Sequence, residues 1–482
     1  MNIIKKIKTK YFSLNIGLRA GIWFTICNLM QKGITMITMP IFTHLLTTEQ
    51  YGVFTLYQSW YSIVSIIVTL NLSGSLIYNG MAKYENRRNE FISSMQGLSM
   101  LVTVAFFFVY LLAMDFWEKL FDLSSIFILT MFAQLLFEPA YLFWAQKQRY
   151  EYRYKSLVAV TILVSVMSPV LGVIAVISTD YKSEARVISF ALVQMCVGLV
   201  FFVIQTIKGK KLFVKDFWKF ALAFNLPLIP HYLSQIVLGQ SDRIMIAKMI
   251  RKSEAAIYGV SYNIATVITL FVNSINSSFV PFLYESIKKK NFSDIKKTAN
   301  VLCLFMASII CVFMLFGPEA IRIFSTDEYI KAKWIFPPVA ASVFFTFIYL
   351  LYINIEFYFE KTKFVMLVSV LGASLNVILN SFFIKEYGFI AAGYTTVFCY
   401  ILFALGHYML YRMLLKKNNI EQKIFDSKKI LIYSAIVIAF MIISTLLYKF
   451  NPVRYALIAV IAVIAMINHK KIINIVKYVL KR

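Results

Sequence analysis

Residues 156–178 read SLVAVTILVSVMSPVLGVIAVIS, a run of 23 with no charged side chain, bounded by Lys155 and, two positions beyond its end, Asp180. As a helix rising 1.5 Å per residue it spans about 34 Å, enough to cross a hydrocarbon core ~30 Å thick. Lipid offers no hydrogen-bonding partner to a backbone, so a lone segment of this kind crosses as a helix. Mostly apolar stretches of similar length place further helices near 17–44, 52–82, 91–114, 124–146, 185–207, 216–247, 256–286, 294–317, 332–358, 362–384, 388–413, 428–448 and 453–469. The sequence therefore predicts an all-α polytopic membrane protein of about fourteen transmembrane helices.

Composition agrees. Of 482 residues 60% are apolar and 15% charged, with a mean hydropathy of +0.72, whereas soluble domains carry roughly 25% charged residues. No stretch remains for a soluble catalytic domain. Lys and Arg outnumber Asp and Glu 49 to 23, but the excess lies in short runs between apolar segments and forms no single nucleic-acid-binding face.

Fourteen crossings leave both termini on one side. With that side as the cytoplasm, the inside segments hold 35 of the 49 Lys and Arg, the outside loops hold 11, and Lys32, Arg243 and Lys248 fall within helices. That bias is the one expected of a chain oriented by cytoplasmic positive charge in the inner membrane. The inside runs include Lys83, Arg87 and Arg88; Lys147, Arg149, Arg153 and Lys155; Lys208, Lys210, Lys211 and Lys215; and Lys416, Lys417 and Lys423. The first apolar segment follows Lys5, Lys6, Lys8 and Lys10 but is too long for a signal peptide and lacks a small-residue cleavage site, so it is expected to remain as the first membrane helix. Cys27, Cys196, Cys303, Cys311 and Cys399 all fall in apolar segments without metal-ligand spacing, which predicts free, buried thiols and no metal.

A charged side chain near mid-membrane costs ~2.5–3.5 kcal/mol on insertion scales, so such residues tend to face a bundle interior or a wet cavity. On the first helix Thr25, Asn28, Lys32 and Thr35 follow at +3, +4 and +3 and share one face. On the seventh, His231, Gln235, Leu238 and Asp242 do the same, and Pro227 and Pro230 should kink or break it. Asn263, Thr266, Asn273 and Ser277 line the eighth, and Gln58, Tyr61 and Ser65 the second. In the fourth, Gln134, Glu138 and Tyr141 share a face beside Pro139. Each has two readings: cavity lining, or a hydrogen bond or ion pair that only holds helices together. For Asp242 and Arg243, near the outer end of their helix, the expectation is a solvated ion pair.

Glu49-Gln-Tyr-Gly-Val-Phe54 opens the second helix and Glu254-Ala-Ala-Ile-Tyr258 the eighth, about 205 residues on. That spacing suggests a repeat of six helices, and parallel repeats are a transporter architecture with the substrate path between the halves. It divides the chain into 1–212, 213–417 and 418–482, the last holding two extra helices and a basic cytoplasmic tail.

From Leu375 to Thr396 the chain reads LNVILNSFFIKEYGFIAAGYTT. With its Asn380, Tyr387-Gly388, Ala391-Ala392-Gly393 and Thr396, this resembles the polysaccharide-exporter branch of the MOP superfamily, the Wzx-type oligosaccharide flippases. Ser241-Asp-Arg-Ile-Met-Ile246 with Tyr258, and Pro40 through Gly52, are similar to further parts of that family. The resemblance implies two six-helix bundles in a V around a central cavity, with two helices appended. It implies a flippase, not an enzyme, moving a polyprenyl-diphosphate-linked oligosaccharide for surface polysaccharide biosynthesis by alternating access. The headgroup would be bound by Lys32, Asn28, Thr25, Gln58, Tyr61, Asn263, Asn273, His231 and Gln235, with Lys32 on the diphosphate. Glu138 and Asp242 are the ion-coupling candidates. No GxxxxGK[ST] loop occurs, no cofactor is expected, and H+ or Na+ is the candidate coupling ion. A polysaccharide polymerase and other assembly proteins are the expected partners, besides the membrane lipids. The rivals are a MATE-like drug or cation antiporter, expected to place carboxylates deep in its cavity, and a polysaccharide polymerase or glycosyltransferase, which needs an external catalytic loop. Asp327-Glu328 is the only acidic pair in an outside loop, and that loop is small.

Overall fold

The computed structural model describes residues 15–360 and 362–469, and within them the chain forms helices and no strand. The Lys5–Lys10 run and the basic tail beyond His469 lie outside the described residues. Every one of the fourteen predicted segments coincides with a long helix or a broken pair of helices.

The first unit extends through Ile236. It contains α1 (Ile16–Leu45), α2 (Thr48–Val68), α3 (Ser75–Lys83), α4 (Arg88–Leu112), a short amphipathic α5 (Met114–Phe121), α6 (Ser125–Tyr150), α7 (Tyr154–Ile177), α8 (Lys182–Gly209) and α9 (Lys215–Asn225). α2 starts with a capping box: Thr47 Oγ1 accepts from Gln50 N at 3.2 Å, and Gln50 Oε1 accepts from Thr47 N at 3.0 Å, which satisfies two of the helix's orphan donors. The predicted second helix breaks at residues 69–74, where Leu70 and Asn71 take positive φ. A core of Leu72, Leu76, Ile77, Met81, Phe91 and Met95 is closed by Phe217 of α9, while Trp218 Nε1 donates to Ser94 O at 3.0 Å. Residues 215–225 thus pack on the first unit.

The predicted seventh helix is broken by a 3-10 turn at Leu226–Leu228 before α10 (Ile229–Met249). Pro227 lies in that turn and Pro230 at the start of α10, as the missing proline donors require. The boundary between the two units falls within α10.

The second unit starts at Val237. It holds α11 (Lys252–Ala265), α12 (Thr269–Lys288), α13 (Phe292–Leu315), α14 (Gly317–Phe324), α15 (Phe336–Tyr358), α16 (Thr362–Tyr387), α17 (Ala391–Lys417), α18 (Ser427–Leu447) and α19 (Asn451–Ile467). α15 is its spine, packed against α11, α13, α17 and α18. Gly388, φ +77°, ends α16 in the left-handed conformation that glycine reaches without strain. A Cβ on Gly393 would stand 3.1 Å from Pro338 and 3.3 Å from Ile335, so the small-residue cluster lets α17 close on α15. α19 is tied in by Arg454, 1% exposed, whose Nη1 and Nη2 lie 3.0 and 2.5 Å from the Glu319 carboxylate of α14.

Among the described residues, eleven helices, two of them broken pairs, are suited by length and composition to cross a membrane. The other three predicted crossings are α1, which carries the polar face around Lys32, the interrupted α2–α3 pair, and α19 with 17 residues. The cysteines are unbridged, with Cys27, Cys303 and Cys399 buried, but Cys311 is half-buried and Cys196 exposed, a correction to the expectation that all are buried. Their helices turn those faces outward, where apolar surroundings need no enclosure by protein.

α6 and α8 pack along each other, and at Gly198 a Cβ would lie 2.3 Å from Phe137 O and 2.7 Å from Glu138 N. Backbone atoms cannot swing aside, so Gly198→Ala should cost about 1–3 kcal/mol as overpacking. Thermal unfolding in micelles should show a lower midpoint for Gly198→Ala and no loss for Gly33→Ala, where a Cβ meets nothing within 4 Å.

Candidate functional site

The second unit's site is built around one carboxylate. Asp242 of α10 is 0% exposed. Its Oδ2 accepts from Tyr258 Oη of α11 at 2.5 Å and from Thr396 Oγ1 of α17 at 2.7 Å, and its Oδ1 from Asn380 Nδ2 of α16 at 2.6 Å. Thr395 Oγ1 donates to Asn380 Oδ1. Asn376, one turn before Asn380, accepts from Ser241 Oγ at 2.9 Å. Four helices thus converge on a single charge, through residues that carried the family resemblance in the sequence.

The expected solvated Asp242–Arg243 pair is not what the structure holds. Arg243 is 6% exposed and makes its contacts away from that carboxylate. Its guanidinium lies 4.4 Å over the Tyr262 ring, with Nη1 2.5 Å from Gln240 Oε1 and Nη2 3.4 Å from Asn263 Oδ1. Neighbours at i and i+1 point about 100° apart on a helix, so adjacent opposite charges there need not meet. Asn263 is thereby placed beside a cation. Asn273 is exposed on α12, and His231 and Gln235 are half-buried on the first half of α10, the His231 ring 5.9 Å from that of Tyr232.

The first unit has its own cluster. Glu138 Oε2 accepts from Tyr61 Oη and Gln134 Nε2, both at 2.5 Å, and Tyr57 Oη donates to Gln134 Oε1 at 2.8 Å. Tyr61 and Glu138, predicted in different roles, are therefore one site between α2 and α6. Gln58 is half-buried and outside it. On α1 the predicted polar face is present: Thr25, Asn28 and Thr35 are exposed and Lys32 half-buried. Thr25 and Thr35 return their hydroxyls to Gly21 O and Gln31 O.

Glu356 and His407 escaped the sequence reading. Both are 0% exposed, and His407 Nδ1 lies 2.8 Å from Glu356 Oε1 between α15 and α17. The His407 ring is flanked by Tyr349 and Phe403. The available signal was a Glu and a His within two apolar segments, but nothing in their spacing pairs residues 51 positions apart.

Among the described residues no group of three or more His, Cys, Asp or Glu could hold a metal. The oxygen donors of Asp242, Asn376, Asn380, Thr396 and Tyr258 have the hardness that a cation bound without nitrogen or sulfur requires. The same carboxylate could take a proton instead.

A sequence model of the family described as "Polysaccharide biosynthesis protein" matches residues 18–287, and one described as "MatE" matches residues 227–382. The chain is 23% identical over 372 residues to the "Lsg locus putative protein 1" of Haemophilus influenzae, covering 73% of this chain and 88% of that one. Among solved structures, the lipid II flippase MurJ in an inward closed conformation is similar at a TM-score of 0.70 and 14% identity, over 94% of this chain and 100% of that one. An inward-facing multidrug resistance MATE family transporter of the MOP superfamily is similar at a TM-score of 0.60 and 11% identity, over 83% and 96%.

Removing one donor from the buried carboxylate should destabilise the second unit. Hydrogen bonds to charged groups contribute about 1.5–3 kcal/mol, so Asn380→Ala should lower the thermal midpoint in micelles, and Asp242→Asn should offset part of that loss in the double variant.

Proposed function

The chain belongs to the polysaccharide biosynthesis protein family and has the fold of the MOP superfamily; from that premise we propose that it is a multi-pass membrane transporter that flips polyprenyl-diphosphate-linked oligosaccharide repeat units. The direction is from the cytoplasmic to the outer face of the cytoplasmic membrane, by alternating access, for surface polysaccharide assembly. A polymerase or other assembly protein would take the product. The charge bias of the loops supports cytoplasmic termini.

The observation that carries the reading is the polar face of α1, with Thr25, Asn28 and Thr35 exposed around Lys32. The Thr25 and Thr35 hydroxyls are satisfied by their own helix, but an exposed amide such as Asn28 beside an ammonium on a membrane helix is costly against acyl chains and cheap against water or sugar. A headgroup of sugars and diphosphate requires such a surface, while its polyprenyl tail stays in lipid. Lys32 supplies the cation for the diphosphate. Gln58, Tyr61, Asn263, Asn273, His231 and Gln235 supply further hydrogen-bonding groups for sugar hydroxyls. Asp242 and Glu138, each held by donors from other helices, are the places where H+ or Na+ would couple.

One observation favours a second reading, MATE-like export of cations: the segment matched by the MatE model contains Asp242, Tyr258, Asn376 and Asn380. The two differ over Lys32, which attracts an anionic headgroup and repels a cationic drug.

In proteoliposomes carrying a fluorescent polyprenyl-diphosphate oligosaccharide, wild type should expose the headgroup to the opposite leaflet. A charge-assisted phosphate contact of about 1.5–3 kcal/mol corresponds to a loss of about 10–100-fold for Lys32→Ala, with Lys32→Arg retaining most of the rate. Export of organic cations without any flipping, across several repeat structures, would establish the second reading instead.

A further inference from the structure

In the first unit, a cavity of about 260 Å³ opens between the ends of α4, α6, α7 and α8 that the charge bias assigns to the cytoplasm. Three cations converge on it from different segments: Lys147 of α6, Arg153 of the α6–α7 turn and Lys208 of the last turn of α8. Loop charge that only orients the chain has no need to converge on a cavity.

One carboxylate answers these three cations. Glu151 Oε2 lies 3.1 Å from Arg153 Nε, and Glu151 Oε1 lies 4.0 Å from Lys147 Nζ. Lys147 is held in place by Asn89 Oδ1, and its side chain is 16% exposed. Arg88, Arg153 and Lys208 all act on it as like charges. The local balance is three positive against one negative, an excess that an anion relieves.

Polar groups with spare capacity stand beside the cations. Gln205, 6% exposed, donates from Nε2 to Gln96 Oε1 at 2.9 Å and Ala140 O at 2.9 Å, while its Oε1 accepts nothing. A buried acceptor left open costs about 1–3 kcal/mol and suits a ligand hydroxyl. The remaining wall is mixed: Asn89, Gln148 and Ser156, the Ser156 Oγ donating to Gln148 Oε1 at 3.0 Å, stand beside apolar Ile92, Ile204 and Trp144, the last stacked 4.2 Å from Phe201. Ile204 is exposed and continues along α8 into exposed Val200, Val203 and Ile207, an acyl-compatible strip.

We infer that this cavity binds a phosphate ester, the phosphate on Lys147, Arg153 and Lys208 and a neighbouring hydroxyl on Gln205 Oε1. Two sources offer that chemistry, an anionic phospholipid headgroup and a soluble phosphate ester. The apolar strip beside the cations favours the lipid, with its chains along α8. Binding is read without transport, so the inference stands or falls separately from the flippase reading.

Native mass spectrometry of the full-length protein in micelles tests it, with dioleoyl phosphatidylglycerol, dioleoyl phosphatidylcholine and glycerol 3-phosphate as probes. Phosphatidylglycerol should remain bound in preference to phosphatidylcholine. Its occupancy should fall at least tenfold in Lys147→Gln with Lys208→Gln, and less in Gln205→Leu. Arg153→Gln, at a side chain 65% exposed, should weaken binding while leaving the lipid-free thermal midpoint unchanged. Retention of glycerol 3-phosphate alone, lost in the same variants, would assign the site to a soluble ester. Phosphatidylglycerol occupancy equal in wild type and every variant, or lost equally in a Lys416→Gln with Lys417→Gln control, would overturn the site.

Discussion

A carboxylate with no exposure inside an apolar bundle has to be compensated by what packs around it, because the unpaired charge would cost several kcal/mol. Asp242 imposes that condition on the second unit. Its two oxygens take donors from Tyr258, Asn380 and Thr396, so α10, α11, α16 and α17 have to arrive in one register before the charge is tolerable. Apolar packing alone would let these helices slide, since acyl chains are as apolar as leucine and discriminate poorly between registers. The small residues after Gly388 then become intelligible, because Thr395 and Thr396 reach the network only where α17 lies close.

The first unit handles its membrane charges differently. Glu138 is met by Tyr61 and Gln134, fewer donors than Asp242 receives, and it is only partly buried. The close approach of α8 at Gly198 falls beside the Glu138 backbone, so packing and polar chemistry meet at the same turn of α6. Arg186 is another solution: its guanidinium lies 3.8 and 4.1 Å over the rings of Phe42 and Phe54, where ring faces substitute for a carboxylate. These arrangements are how the chain carries charged side chains among its apolar helices.

The helices were legible because each must span the hydrocarbon and leaves an apolar run of fixed length. The break at Pro227 and Pro230 was legible from backbone chemistry, and the shared face of Thr25, Asn28 and Lys32 from the 3.6-residue period. Partnerships across the fold were not. Asn380 and Thr396 stand 138 and 154 positions from Asp242, and helical periodicity carries no information over such separations. The family resemblance brought those residues to notice, while their role as donors to one carboxylate came only with the structure. Adjacency in sequence suggested that Asp242 pairs with Arg243, and helix geometry sends Arg243 to Tyr262 instead. Glu356 and His407 were hidden for the same reason of distance.

We propose that the Asp242 network is where an ion gradient acts on the proposed flippase. The most direct test is the initial flipping rate under imposed sodium and proton gradients, wild type against Asp242→Asn. The account predicts that one gradient accelerates wild type and that Asp242→Asn abolishes this response while retaining slow, gradient-independent exchange. An Asp242→Asn protein that flips with the wild-type gradient dependence would contradict it.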